Sequence, residues 1–243
     1  TSLAVNCAIE LSNQKSLVGL LDADFGLANA HIMLDQKVNS SVIDLLDGTS
    51  QVEDLVHVTS SGVKLIPGGS GVLEIMNIDS KKRWEVIKAV SYLENDLDFL
   101  FVDTPAGASD SSIEFAAACD KIIIVLVGEP TSFMDAYAFI KALSMEKSID
   151  SVSIVVNMAR DAADALNSYK SFQKIVLRFL AIDLKFVGWL PQSKAISNSI
   201  VARKPFVLNK KANRNLTLRI EEIIKQVKEA APVHSNSIKF FDR

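Results

Sequence analysis

Hydrophobic positions along this chain follow two rhythms. Short, nearly continuous apolar runs fall at 16–22, 63–66, 98–103, 121–127, 152–157 and 185–189, and runs of this length read as strands buried in a sheet. Between them apolar residues recur every three or four positions, as on one face of a helix. The segment 83–94 carries Val86, Ile87, Val90 and Leu93, and 133–145 carries Phe133, Tyr137, Ile140 and Leu143. Likewise 167–181 carries Phe172, Ile175, Val176 and Phe179, and 215–229 carries Leu216, Ile220, Ile223, Ile224 and Val227. The alternation predicts right-handed βαβ units, hence an α/β fold whose mostly parallel central sheet is flanked by helices on both faces. The run KIIIVLVG at 121–128 is apolar at nearly every position, as expected of a strand buried on both sides.

The opening residues already read as a helix, with Leu3, Ala4, Cys7, Ala8 and Leu11 on one face. No strand precedes it, so the chain is expected to be a piece of a longer one. No repeat, low-complexity stretch or linker interrupts residues 1–230, which predicts a single domain. The last residues, 231–243 (APVHSNSIKFFDR), change character and read as a tail.

Composition narrows the class. A chain of 243 residues with 49% hydrophobic and 23% charged residues can bury a sizeable core. No apolar stretch reaches the ~18 residues of a membrane span, and no signal peptide is visible. Cys7 and Cys119 lie far apart in apolar contexts and read as reduced core thiols of a cytosolic protein. His31, His57 and His234 show no metal-ligand spacing, and a net charge of −3 gives no global attraction to nucleic acid.

Three apolar runs end on chemistry. LVGLLDADFGLAN stops on Asp22 with Asp24 two residues on, so an extended backbone points both carboxylates to one side. DFLFVDTPAG stops on Asp103. A carboxylate at the tip of a buried strand suits Mg²⁺, a hard cation that keeps several waters. Gly107 allows the backbone to approach a phosphate. The ordinary structural reading of Asp22 or Asp24 is a helix cap. The third run leads into IPGGSG, Pro67 to Gly71, which reads as a structural turn near the site. Asn157 and Pro191 end two further strands, where an amide and loop backbone can read an adenine.

Two clusters remain. Arg203, Lys204, Lys210, Lys211 and Arg214 read as a solvated face, with nucleic acid not expected as a partner given the acidic total. Ile238, Phe240 and Phe241 with Lys239 and Arg243 form a short amphipathic element suited to a membrane surface, too short to hold a protein there unless it acts in pairs.

The blocks DADFGLANAHIML, LLDGTSQVEDLV, GVKLIPGGSGVLEIMNID, DFLFVDTPAG, EPTSFMDAYAFIK and VVNMA resemble, in order, the MinD/ParA-type ATPases. IPGGSG and EPTSFMDAYAFIK narrow the resemblance to the flagellar number and placement regulators of that group, the FlhG or FleN type. The likeness runs from Thr1 to about Glu229. It implies a P-loop NTPase-like sheet and a Mg-ATPase that forms a face-to-face homodimer on binding ATP. It further implies a cytoplasmic protein that joins the inner face of the cell membrane peripherally in its ATP state. Its expected partners are a signal-recognition-type GTPase or a transcription activator of the flagellar system.

Carried over by position, the resemblance makes Asp24 the residue that orients the hydrolytic water, with Asp22 in support. Asp103 would hold Mg²⁺ through water, Gly107 would meet the γ-phosphate, and Asn157 would read adenine beside the loop from Pro191. The family's phosphate loop, KGGxGK followed by Thr, is not in the sequence. The chain begins where that Thr stands, which makes Thr1 the Mg²⁺-ligating hydroxyl and Ser2 the neighbouring phosphate contact. The family strand ahead of that loop lies inside the sheet, so its loss is expected to open the core. Pro105 follows the MinD pattern, and His31 stands where an acid is usual.

Weak or no ATP turnover is therefore expected of the chain as it stands, while its three acids point to an ATPase. The competing readings are a nucleotide-dead partner-binding scaffold, a cell-division-site ATPase of the MinD type and a DNA-partition ATPase of the ParA type. A receiver-like phosphoacceptor domain ranks lower, since it needs only ~120 residues and has no use for DFGLAN or IPGGSG.

Overall fold

A computed structural model describes residues 1–25, 28–69, 78–234 and 237–241. Gly71 of the IPGGSG turn and Arg243 lie outside the described residues. Helix α1 (Ser2–Asn13) leads into β1 (Val18–Asp22), the short helices α2 (Ala30–Met33) and α3 (Val42–Leu46), and strands β2 (His57–Val58) and β3 (Lys64–Ile66). Then α4 (Ser80–Ser91), β4 (Phe99–Asp103), α5 (Asp110–Ala117), β5 (Ile123–Val127) and α6 (Pro130–Lys147) alternate. The series closes with β6 (Ser151–Ala159), α7 (Ala162–Leu177), β7 (Asp183–Pro191), α8 (Lys194–Val201), a 3₁₀ turn (Phe206–Asn209) and α9 (Arg214–Glu229). Local chemistry sets the helix starts. Asp79, Ser109 and Asp161 each accept a backbone N–H three residues on, capping α4, α5 and α7.

The strands form two ladders, β2-β3-β1-β4 and β5-β6-β7, parallel throughout except for β2 against β3. Among the described residues β4 pairs only with β1, and β5 only with β6. Among the described residues the sheet is thus parted between β4 and β5. The parting changes β5: Val125, in the middle of a run expected to be buried on both sides, is 46% exposed.

Helices carry the core across the parting. Helix α1 packs on β1 and β4, α9 packs on β7, and the two helices pack on each other. One apolar cluster accordingly joins Val5, Ile9 and Leu20 to Val155, Val187 and Ile220, with Phe101 of β4 and Ile123 of β5 against it. On the opposite face α5 meets α6.

The C-terminal segment departs from expectation. Phe240 and Phe241 are 3% and 9% exposed, in a cluster with Phe25, Leu55 and Phe115. Phe240 stacks on Phe115 with ring centroids 6.1 Å apart. The Lys239 ammonium donates to the carbonyl of Cys119 at 2.7 Å and to that of Ala117 at 3.3 Å, at the carboxyl end of α5. The segment is therefore docked and not an outward-facing tail, because two large aromatic faces are removed from water by the cleft beside Phe115.

Candidate functional site

Strands β1 and β4 run in register from Val18↔Phe99 to Asp22↔Asp103, so the last pair of the ladder is a pair of carboxylates. Both are buried, at 1% and 9% exposure. Asp22 is an organiser. Its Oδ2 accepts the backbone N–H groups of Asn29 and Ala30 at 2.8 Å each, and its Oδ1 accepts that of Asp24 at 3.4 Å. Asp22 is not the N-cap of α2, which is Asn29, but its carboxylate takes the amides at the start of that helix. Burial pushes its carboxyl up to about 6, with Asp103 adding to the rise and the three backbone donors opposing it.

Asp24 is half-buried, and its side chain takes no hydrogen bond among the described residues. Its carboxyl is raised chiefly by burial and next by the charge of Asp103, against the pull of the Thr1 amino group. Asp24, Asp103 and Thr1 therefore share one electrostatic neighbourhood. The Thr1 amino nitrogen stands 2.9 Å from Asp103 Oδ1. Thr1 is the N-cap of α1, and among the described residues its side chain makes no capping hydrogen bond. Ser2 opens the helix, whose first N–H groups and positive dipole end suit an anion.

Among the described residues no three His, Cys, Asp or Glu side chains gather closely enough to cage a metal. A hydrated Mg²⁺ needs less, one or two protein oxygens plus phosphate.

The loop after Asp103 turns at Gly107, whose φ of +90° favours glycine, with nothing within 4 Å of where a Cβ would stand. Ser112 Oγ donates to the Pro105 carbonyl at 3.2 Å and ties this loop to α5. Asn157 and Pro191 lie near the carboxyl ends of β6 and β7, on the second ladder. Asn157 Oδ1 accepts the N–H of Met158 at 2.9 Å, and Met158 has a φ of +58° where the β6–β7 register shifts. The structure brings Thr1, Asp22, Asp24 and Asp103 to one place; among the described residues no hydrogen bond or ion pair links Asn157 or Pro191 to them.

Two supports escaped the sequence reading. The Asn29 and Ala30 amides hold Asp22, and no side-chain pattern announces them. Gly68 lies against the backbone of Asp22, where a Cβ would stand 2.1 Å from the Asp22 carbonyl oxygen. Its position in a Gly-Gly turn was visible, but the close approach was not.

With the fold and the acids in place, the class is a nucleotide-binding α/β protein with its chemistry at strand ends. A family profile described as ParA, the NUBPL iron-transfer P-loop NTPases, matches residues 1–228. The antiactivator FleN of Pseudomonas aeruginosa is 32% identical over 200 residues, covering 82% of this chain and 71% of that protein. The flagellum site-determining protein YlxH of Helicobacter pylori is 27% identical over 217 residues, covering 89% and 72%. The septum site-determining protein MinD of Pyrococcus horikoshii, solved with Mg-ADP, superposes with a TM-score of 0.75 at 18% identity, over 94% of this chain and 90% of that one. This chain belongs to the ParA/MinD family of P-loop NTPases.

Proposed function

We propose that the protein is a MinD-like Mg-ATPase switch that governs flagellar number or placement through an ATP-dependent homodimer and its contacts with membrane and partner. The observation that carries the reading is the Thr1–Asp103–Asp22 arrangement: a helix N-terminus and two register-paired carboxylates at one sheet end. Flagellar regulation draws on the likeness to FleN and YlxH, and nucleotide with Mg²⁺ draws on the Mg-ADP held by the MinD of P. horikoshii.

In this reading the N–H groups opening α1 would bind phosphate, and the Thr1 hydroxyl and Asp103 would hold Mg²⁺. When bound, that ion neutralises phosphate charge. Asp22 fixes the turn at Asn29 and Ala30, which sets the backbone from which Asp24 projects. Asp24, whose side chain takes no hydrogen bond among the described residues, would accept one from the attacking water and orient it. The Gly107 N–H meets the γ-phosphate, and Asn157 with the loop from Pro191 faces the adenine.

A second reading is a partner-binding scaffold that does not turn ATP over. The test measures Mg²⁺-dependent phosphate release and ATP-dependent dimerisation, for this chain and for the same chain preceded by a strand and a KGGxGK loop. The ATPase reading expects turnover and dimers in the longer chain, both lost without Mg²⁺. If the longer chain releases no more phosphate than its Asp24→Ala variant, the scaffold reading takes its place.

A further inference from the structure

Between Asp183 and Glu221 the sequence holds eight Lys and Arg residues and neither Asp nor Glu, in a chain whose net charge is −3. Three of these cations are committed to the body. Lys185 donates to the Gln226 carbonyl at 3.3 Å, Arg219 lies 3.5 Å over the Trp189 ring, and Lys210 pairs with Glu10 at 2.7 Å. The other five, Lys194, Arg203, Lys204, Lys211 and Arg214, are exposed and form no ion pair among the described residues. They occupy one continuous corner: α8, the turn after it and the start of α9.

A solvated cationic face needs no apolar residues, yet this one has them. Val201 is 84% exposed, Leu208 53%, Leu218 50% and Ile200 45%. Leu218 stands four residues after Arg214, on the same face of α9. The corner is held firmly. Phe206 and Val207 are buried, the Val207 N–H donates to Asn6 Oδ1 at 3.2 Å, and Asn213 Nδ2 donates to the Phe206 carbonyl at 3.0 Å. These anchors keep Leu208 and Lys211 facing water despite the apolar character of the turn.

We propose that this acid-free corner is a contact surface for an anionic lipid bilayer. Ile200, Val201, Leu208 and Leu218 enter the headgroup boundary while Lys194, Arg203, Lys204, Lys211 and Arg214 pair with lipid phosphates. Interleaved aliphatic and cationic side chains are what an interfacial contact requires, whereas a nucleic-acid backbone has no place for an exposed valine. The acidic remainder of the chain is repelled by the same membrane, which orients the molecule with this corner inward. Phe240 and Phe241 are docked beside Phe115, so this surface is available without any release of the C-terminal segment.

The inference rests on the membrane part of the proposed function, and the experiment separates the two. The 243-residue chain is cosedimented with phosphatidylcholine vesicles with and without phosphatidylglycerol. Wild type is expected to bind only the anionic vesicles. Arg203→Gln/Lys204→Gln should weaken binding about thirtyfold. Val201→Asp should weaken it further still, and Lys170→Gln/Lys174→Gln on α7 should change it by less than about twofold. Thermal unfolding of each variant, expected to match wild type, shows that the fold is kept. No binding by wild type overturns this surface, whereas the membrane reading falls only if the longer chain with ATP also stays off anionic vesicles. Binding that survives in the corner variants overturns this surface alone. Duplex DNA that displaces the vesicles and binds Val201→Asp as well as wild type overturns the bilayer in favour of nucleic acid.

Discussion

Asp22 and Asp103 face each other as the last register pair of two hydrogen-bonded parallel strands, one carboxylate tied to three backbone amides and the other to the Thr1 amino group. The charge of Asp103 adds to the rise that burial gives the Asp22 carboxyl, so the arrangement is costly unless it serves chemistry. The division of labour is legible in their partners: Asp22 builds the turn, and the Asp24 side chain takes no hydrogen bond among the described residues.

Asp24→Ala should therefore separate catalysis from folding. In a chain carrying the phosphate loop, phosphate release is expected to fall on the order of a hundredfold or more, because the water loses its acceptor. The thermal midpoint should stay close to wild type, since no hydrogen bond of the fold is lost. ATP-dependent dimers should persist in size-exclusion chromatography. A variant that stays monomeric with ATP would move Asp24 from catalysis to binding.

Asp22 makes stability depend on pH in a stated direction. Its folded-state carboxyl sits at about 6 against an ordinary 3.8, so between those values the folded protein holds a proton that the unfolded chain has released. Stability from this group is thus greatest below about pH 4 and falls as pH rises toward 6. The difference is worth about 3 kcal/mol. Asp22→Asn keeps an acceptor for Asn29 and Ala30 and removes the charge. In urea titrations it is expected to exceed wild type at pH 8 and to match it near pH 4; equal midpoints at both would refute the assignment.

Glu10 is buried on α1, with Oε1 held by Lys210 at 2.7 Å and Oε2 the one buried side-chain atom without a hydrogen bond among the described residues. Lys210→Met should cost about 3 kcal/mol because it strands that charge. Adding Glu10→Gln should recover much of the loss. A double-mutant cycle by chemical denaturation reads the coupling, and additive losses would show that the two side chains do not act as a pair.

Phe240→Ala should destabilise the whole fold by about 3 kcal/mol, the cost of emptying a buried aromatic site. A residue on a free tail would cost nothing. The measurement is a denaturant midpoint, with proteolysis after residue 230 as a second readout: cleavage should be faster in the variant.

What the sequence disclosed followed from short-range pattern. The helices of 133–145 and 215–229 emerged as Pro130–Lys147 and Arg214–Glu229, because three- and four-residue spacing is local. The two carboxylate-tipped strands were equally legible, since a buried run that stops on Asp needs no tertiary knowledge. Val125 was misjudged because its exposure depends on β5 being an edge, and strand order is not written in the strand. The docking of Phe240 and Phe241 was not legible for the same reason, as their site belongs to Phe25 and Phe115, more than a hundred residues away. Short α5 and α8 went unnoticed, being too brief at Asp110–Ala117 and Lys194–Val201 to establish a period.

The parted sheet has a mechanical meaning. Two ladders splinted by α1 and α9, with α5 against α6 behind, meet along a seam that no strand pairing crosses among the described residues. Amide deuteration should run ahead along the bare margins of β4 and β5 and lag in β1 and β6, whose protons are clasped on either side. Any segment that zips into that seam will fasten both halves at once, and the Thr1 end of α1 with them.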